Sequence, residues 1–398
     1  MLLGVGPDGP ARGHRVAITG LGVLACCGIG VDAFWAGLQR PWSGGERRVP
    51  DFDPTRWFGP KEVRRVDRFA QLAVAAADMA LVDAGPVQAD PARCGVVFAT
   101  GIGGLESLEE QLRVYEARGP RRVSPFLIPM MMPNAGAGGI SIRNGWHGPC
   151  ETITTACAAG THAIAAAARL VASGRCDVVI GGGSEAAMTG LGIAAFTNMT
   201  ALSTDGTSRP FDRRRCGFAI AEGAGAVVLE RLDQARQRGA RIYGEVLGAG
   251  STADAHHITA PAPGGAGAAA CIELALADAE LAPGDIGHVN AHGTSTPLND
   301  LAEAQAITKV FGTPGPPVTS TKGVTGHALG GAGAIEAVAA ALTLAHRLIP
   351  PTAGYEEPDP DITLDVVHGE ARPFTPAPVL SSSFGFGGHN GCLVLGPS

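Results

Sequence analysis

Short runs of aliphatic residues, most closed by a glycine turn, alternate along this chain with alanine-rich stretches of helical period. No other feature restricts the fold as much. Strand-like runs fall at 15–24, 94–99, 177–181, 224–230, 243–248, 286–290, 318–320 and 392–395. Apolar spacing near 3.6 predicts helices at 67–85, 105–115, 163–174, 267–279, 300–311 and 333–347. Strands alternating with helices build an α/β fold, here expected to hold mostly parallel, buried sheets. The alternation fills two successive stretches, 15–245 and 246–398. No sequence repeat is visible between them, so duplication is permitted rather than required. No Pro/Ser-rich linker separates them, which predicts a shared interface. Residues 1–14 are Gly/Pro-rich and read as a loose tail.

The 398 residues are 45% hydrophobic and 17% charged, enough for a large core. With 58 glycines and only 5% aromatic residues, tight turns and close packing of elements are expected rather than disorder. A net charge of −7 argues against a general nucleic-acid binder. The nine cysteines are odd in number and irregularly spaced, without a CxxC pair. Adjacent Cys26 and Cys27 cannot pair with each other in ordinary disulfide geometry. These features, with no signal peptide at the start, point to a reducing cytoplasm and away from a disulfide scaffold or a metal site. No run approaches 18 uncharged apolar residues, and even 330–344 carries Glu336, so no membrane span is expected.

Cys157 is the residue on which the chemistry turns. It lies in Thr155-Ala156-Cys157-Ala158-Ala159-Gly160, between a β-favouring run and an alanine-rich helix with Gly174 where a C-cap belongs. A cysteine at a helix start meets the positive end of the dipole, which favours thiolate and lowers the thiol pKa. Taken alone, a small apolar cysteine is more often simply buried. Its company changes that balance. Asn290-Ala291-His292-Gly293-Thr294-Ser295-Thr296 follows one strand, and Lys322-Gly323-Val324-Thr325-Gly326-His327 follows another. Phe384-Gly385-Phe386-Gly387-Gly388 lies near the last. Such strand-end loops are where α/β proteins gather active-site groups. A cysteine, two histidines and a lysine so placed suit acyl transfer. The glycine turns at Gly101 to Gly104 and Gly181 to Gly183 fit neither GxGxxG nor GxxxxGK[ST], so a nucleotide site has little support.

In this order and spacing, the segments resemble the β-ketoacyl-[acyl-carrier-protein] synthases. The likeness is greatest to the elongating type II condensing enzymes of bacterial fatty acid synthesis. It extends over almost everything after residue 14 and includes Ser208-Arg209-Pro210-Phe211-Asp212 and Ala221-Glu222-Gly223-Ala224-Gly225. The resemblance implies a thiolase-like fold of two similar βα halves in a five-layered α-β-α-β-α arrangement, as a homodimer. Cys157 would carry the acyl chain as a thioester. His292 and His327 would bind the malonyl thioester, promote its decarboxylation and stabilise the carbanion. Lys322, with Glu336 as partner, would support them, as would Glu303. The backbone N–H groups of Cys157 and Phe386 would form the oxyanion hole, with Phe386 also gating the acyl tunnel. Ile102, Phe196 and Phe384 would line that tunnel. Thr294 and Thr296 would hydrogen-bond the phosphopantetheine arm, although threonines here also suit capping of the turn. No cofactor is implied, because phosphopantetheine arrives on the acyl carrier protein, acyl- or malonyl-loaded.

Lys61, Arg64, Arg65, Arg121 and Arg122 match positions often basic in the family, and charge there would steer an acidic carrier protein. An ordinary solvated face is the competing reading. Thr200 stands where many members carry arginine, and Cys216 replaces a commonly acidic residue. His162, His256, His257 and His389 have no comparable support and read as incidental. A discrete ketosynthase of a polyketide or other specialised pathway would use the same residues. A degradative thiolase fits less well, since Cys392 does not sit in the glycine-rich loop that such enzymes need. A non-catalytic chain-length factor is opposed by Cys157 itself.

Overall fold

The structure, a computed structural model, describes residues 13–42 and 44–398. Most of the expected tail, 1–12, lies outside the described residues, while the His14 N–H donates to the Ala172 carbonyl at 2.8 Å. The first half of the chain supplies β1 (Val16–Ala25), β2 (Cys94–Ala99), β3 (Cys150–Glu151), β4 (Val178–Glu185) and β5 (Gly223–Arg231). The second supplies β6 (Gly244–Ala253), β7 (His288–Asn290), β8 (Val318–Thr319), β9 (Val379–Gly385) and β10 (His389–Gly396). Hydrogen bonding runs in one path, β3-β2-β4-β5-β1-β6-β10-β9-β7-β8. Each strand of the second half thus occupies the place of the strand five earlier in the first.

Strand directions repeat as well. β2 is parallel to β3 and β4, and β7 is parallel to β8 and β9. β5 is antiparallel to β4 and β1, as β10 is to β9 and β6, and β1 meets β6 antiparallel where the halves join. The expectation of mostly parallel pairing therefore fails at the centre of the path. Only a helical crossover gives parallel neighbours; β9 and β10 are joined by the short turn at Phe386 to Gly388, which allows only the antiparallel arrangement.

Outside the first sheet lies α1 (Arg68–Ala84), started by an Asp67 side chain that accepts from the Phe69 N–H. Further along come α2 (Leu105–Arg118), α3 (Ala159–Ala172), α4 (Gly190–Asn198), α5 (Ala266–Asp278), α6 (Pro297–Phe311) and α7 (Ala332–His346). α3 and α7 pack together between the two sheets, α1 covers the first sheet and α5 with α6 the second. This is the five-layered α-β-α-β-α arrangement. The middle helices are alanine-rich because most of their surface is buried: α7 is buried throughout Ala332 to Leu344, while α3 leaves Arg169 exposed. Leu329–His346 is the one helical stretch among the described residues long and apolar enough to cross a membrane. It is 89% buried in the fold, as a core helix is.

Glycine sets how closely these layers approach. A Cβ at Gly20 or Gly22 of β1 would be driven into the Ala80 or Ala76 carbonyl of α1. At the equivalent place in the second half, one at Gly250 of β6 would meet the Cys271 carbonyl of α5. Between α3 and α7, a Cβ at Gly160 would stand 2.6 Å from Ala334 N. Both outer helices are therefore seated on glycine-bearing strands in the same way.

Candidate active site

The position of Cys157, the candidate nucleophile, follows from a change of backbone direction after β3. Ala156 adopts φ +50°, a tight turn spans Ala156–Ala158, and α3 begins at Ala159. Cys157 thus stands at the N-terminal end of a central, buried helix, with the residue 7% exposed. β7 ends at Asn290 and leads to His292; β8 ends at Thr319 and leads, through the Lys322–Thr325 turn, to His327. The fold brings both loops to Cys157. His327 Nε2 lies 3.1 Å from Cys157 Sγ, and the two imidazoles meet edge to face at 5.3 Å between centroids.

Lys322, fully buried, ties this cluster together. Its Nζ donates to the His292 carbonyl at 2.6 Å, to Glu336 Oε1 and, at 3.2 Å, to His292 Nδ1. An ammonium has no acceptor. His292 Nδ1 is consequently the acceptor, and the neutral ring carries its proton on Nε2. Glu303 holds the same loop from behind, accepting from the His292 N–H at 2.8 Å, the Gly293 N–H at 2.7 Å and Ser382 Oγ at 2.9 Å. Burial, then Lys322 and His327, holds His292 well below the ordinary histidine range. Burial and Lys322 do the same to His327. Both are uncharged near neutral pH. Burial pushes Glu303 and Glu336 up to about 7.

One expectation is reversed. Burial pushes the Cys157 thiol up to about 12, although Lys322 and the Phe386 N–H both favour the thiolate. Loss of water around the sulfur outweighs both. At rest the group is a thiol beside a neutral imidazole, and its proton must leave as the sulfur attacks.

These side chains open into a cavity of about 460 Å³. Its wall includes Ile102, Phe196, Thr294, Thr296, Phe384 and Phe386, so every residue expected to face substrate is brought to it. The Phe386 N–H reaches the Cys157 sulfur. A Cβ at Gly385 would stand 3.0 Å from Cys157 N and 2.9 Å from Thr155 O, so this loop lies directly on the nucleophile's turn. Phe384 lies edge-on to His292 at 5.9 Å. Thr296 caps α6, its Oγ1 accepting from the Asn299 N–H at 3.3 Å, and lies 2.9 Å from Thr294 Oγ1. It both caps and lines.

Lys61, Arg64, Arg65, Arg121 and Arg122 are exposed and away from the cavity wall, with Arg65 over the Phe126 ring at 4.4 Å. Arg68, beside them in sequence, is instead spent on buried Glu222. Thr200 lies at the cavity wall, and Cys216 lies 3.7 Å from Ser203 Oγ. His162 is not incidental to the architecture: it bridges Thr155 Oγ1 at 2.7 Å and the Asn390 carbonyl at 3.1 Å.

Sequence reasoning passed over Glu185 and Phe218. Glu185 closes β4 fully buried, accepting from Gly101, Ile102 and Gly330 N–H groups and from Thr100 Oγ1, and burial pushes it up to about 7. Its signal was a lone carboxylate ending an uncharged strand. Phe218 packs edge-on to His327 at 4.9 Å and to Phe196 at 5.8 Å. Cys157, His292 and His327 also place donor atoms within 4.8 Å of one another, a set that could ligate a metal. The Lys322 ammonium bonded to His292 repels a second cation there. The arrangement suits a nucleophilic thiol and two neutral proton donors.

A buried cysteine, two neutral histidines and a bound lysine on two repeated βα halves define a thiol-dependent acyl-transfer enzyme of thiolase-like fold. Comparison with known proteins agrees. The Beta-ketoacyl synthase N-terminal domain matches residues 39–235 and the C-terminal domain residues 243–356. The chain belongs to the β-ketoacyl synthase family. It is 44% identical to the 3-oxoacyl-[acyl-carrier-protein] synthase 2 of Synechocystis sp., over 96% of this chain and 97% of that one. It is 40% identical to the protein of that name from Vibrio harveyi, over 96% and 98%. Among solved structures, the ishigamide ketosynthase/chain length factor superposes with a TM-score of 0.92 at 36% identity, covering 98% of this chain and all of that one. A type II PKS acyl-carrier protein in complex with its ketosynthase bound to the hexaketide gives 0.89 at 33%, covering 97% and 100%.

Proposed function

We propose that this enzyme performs the decarboxylative Claisen condensation that elongates fatty acids, joining an acyl chain to malonyl-acyl carrier protein to give a 3-oxoacyl-acyl carrier protein and CO2. The observation that carries the reading is the 3.1 Å contact of His327 Nε2 with Cys157 Sγ, beside a second imidazole whose proton lies on Nε2. The sulfur of Cys157 attacks the acyl thioester. Its proton passes by way of His327 to the departing phosphopantetheine sulfur, and the oxyanion rests on the Cys157 and Phe386 N–H groups. Losing one such donor costs about 3 kcal/mol, a few hundredfold in rate. Malonyl thioester then loses CO2 while the enolate oxygen accepts from His292 Nε2–H and from His327, whose single proton exchanges to Nε2 once the sulfur is acylated and no longer faces it with a thiol. Because both imidazoles are neutral, they stabilise that charge without an acid strong enough to quench the carbanion. The carbanion attacks the Cys157 thioester and the thiolate leaves.

Phosphopantetheine is delivered by the carrier protein, and no further cofactor takes part. Thr294 and Thr296 hold the arm, Ile102 and Phe196 receive the acyl chain, and Lys61, Arg64, Arg65, Arg121 and Arg122 meet the carrier protein. The protein acts as a cytoplasmic homodimer. Nine unpaired cysteines support the compartment. Exposed Leu108, Leu112 and Tyr115, one stripe on α2, with Leu191 and Ile193 of adjoining α4, support self-association. The two halves, 15–245 and 246–398 in the sequence reading, remain part of this proposal, with β6 (Gly244–Ala253) as the first strand of the second.

Likeness to polyketide ketosynthases favours one alternative, a specialised pathway using the same chemistry. Supplying saturated acyl-carrier proteins of graded length and a polyketide-primed one, each with malonyl carrier protein, separates the two. Saturated 3-oxoacyl products support fatty acid elongation; turnover of the polyketide-primed carrier alone overturns it.

A further inference from the structure

Arg47 is among the largest fully buried side chains of the protein, 1% exposed. A guanidinium does not lose its charge at any ordinary pH. Among the described residues no carboxylate pairs with it: nearby Glu222 is taken up by Arg68 at 2.6 Å and Arg48 at 3.6 Å. Nε and Nη2 of Arg47 meet no protein partner among the described residues. Nη1 instead donates to the Val324 carbonyl and, at 3.2 Å, to the Gly323 carbonyl. Those two oxygens belong to the Lys322–Thr325 turn, so the cation sits where a C-terminal capping charge is favourable. The Trp42 ring covers its outer face, 4.4 Å from the guanidinium carbon.

Beneath Gly326 the contact is tighter still. Gly326 has φ +67°, and a Cβ there would be driven into Arg47 Cδ. His327 comes next. Its N–H donates to the Ala219 carbonyl at 2.8 Å and its carbonyl accepts from the Ala221 N–H at 3.0 Å. The Arg47 carbonyl accepts from the Glu222 N–H at 3.1 Å, on the same run of backbone. Cys26 Sγ, 3.4 Å from the Val324 and Thr325 carbonyls, adds a second side chain to the same turn. Arg47 is therefore packed between the two ends of the turn that presents Lys322 and His327.

We propose that Arg47 is a positioning residue for the condensing reaction: a buried cation that fixes the Lys322–Thr325 turn and so sets both Lys322 and His327 against substrate. It touches neither Cys157 nor the cavity. The inference rests on the roles given above to His327 and Lys322. It weighs unequally on the two half-reactions, because acyl loading uses His327 alone of these groups, while decarboxylation needs both imidazoles and the lysine.

The test uses the full-length enzyme with Arg47→Met, which keeps length and packing but removes charge and donors, and with Arg47→Lys, which keeps the charge. Wild-type enzyme that loads acyl groups and decarboxylates malonyl carrier protein establishes the underlying roles; failure of that control counts against those roles and not against Arg47. Expected for Arg47→Met is a fall of at least about tenfold in kcat for decarboxylation, with KM within about threefold of wild type and a clearly smaller fall in the rate of Cys157 acylation. Arg47→Lys recovers most of the lost kcat. Gly326→Ala, which disturbs the same contact with Arg47 intact, gives the same split should Arg47→Met fold poorly. Undiminished decarboxylation in Arg47→Met, or equal loss of both half-reactions in Arg47→Met and Gly326→Ala, would overturn the proposal.

Discussion

In the proposed mechanism Cys157 and His292 divide the chemistry, and each can be removed separately. His292→Ala leaves Cys157, the Phe386 loop and the His327 contact in place but removes the Nε2–H donor that Lys322 orients. Malonyl decarboxylation is expected to fall by at least about a hundredfold, while acylation of Cys157 persists. Headspace CO2 and intact mass measured on one sample check both halves. A different histidine carries a stability prediction. His288 is fully buried, neither ring nitrogen has a partner among the described residues, and burial pushes it down to about 3. Its folded pKa lies below the unfolded value of about 6.5. The unfolded chain therefore takes up a proton that the folded one refuses, and stability falls as pH drops from about 6.5 toward 3. His288→Phe removes this dependence. Relative to wild type it should gain about 2 kcal/mol between pH 8 and pH 5, read by urea unfolding at the two pH values. An unchanged difference between the proteins at the two pH values would contradict it.

At the scale of elements, what was legible and what was not have physical reasons. α1 was plain because Asp67 and Gly85 bracket a clean helical period, and β2 because it is short, apolar and turn-bounded. β9, the strand that leads into the Phe386 loop, was missed. Its centre is Ser381, Ser382 and Ser383, which suggest a loop, yet all three are fully buried and satisfied by tertiary partners: Asn290 on Ser381, Glu303 on Ser382 and Thr161 on Ser383. α4 was passed over because its glycines and mixed face show no helical stripe. Cys157, His292, Lys322 and His327 could be read as a group from loop positions and family likeness. The raised Cys157 thiol could not, since burial depends on packing from both halves. The repeated seating of outer helices on glycine also appears only in three dimensions, and it is testable. Gly22→Ala would force α1 off β1, and Gly250→Ala would force α5 off β6. Each should cost about 1–3 kcal/mol or more in chemical denaturation. Retained wild-type stability in both would refute the close-packed seating.

Across the whole molecule, one site is assembled from two topologically equivalent halves: the nucleophile comes from the start of α3, the histidines from the ends of β7 and β8. Neither half holds both Cys157 and the histidines, so the proposed division of labour runs across the halves. The apolar stripe on α2 and α4 belongs to this scale too. On the proposed self-association, wild type should sediment as a dimer in analytical ultracentrifugation and Leu112→Asp combined with Ile193→Asp as a monomer; a monomeric wild type or an unchanged mass in the variant would contradict it. The central claim is that Cys157 holds the chain while the histidine loops make the carbanion. It is tested most directly by intact-mass analysis after mixing the enzyme with acyl-loaded carrier protein. Wild type and His292→Ala should each gain one acyl mass and Cys157→Ala none, with only wild type going on to 3-oxoacyl product when malonyl carrier protein is added. An acyl mass on Cys157→Ala, or none on wild type, would contradict the account.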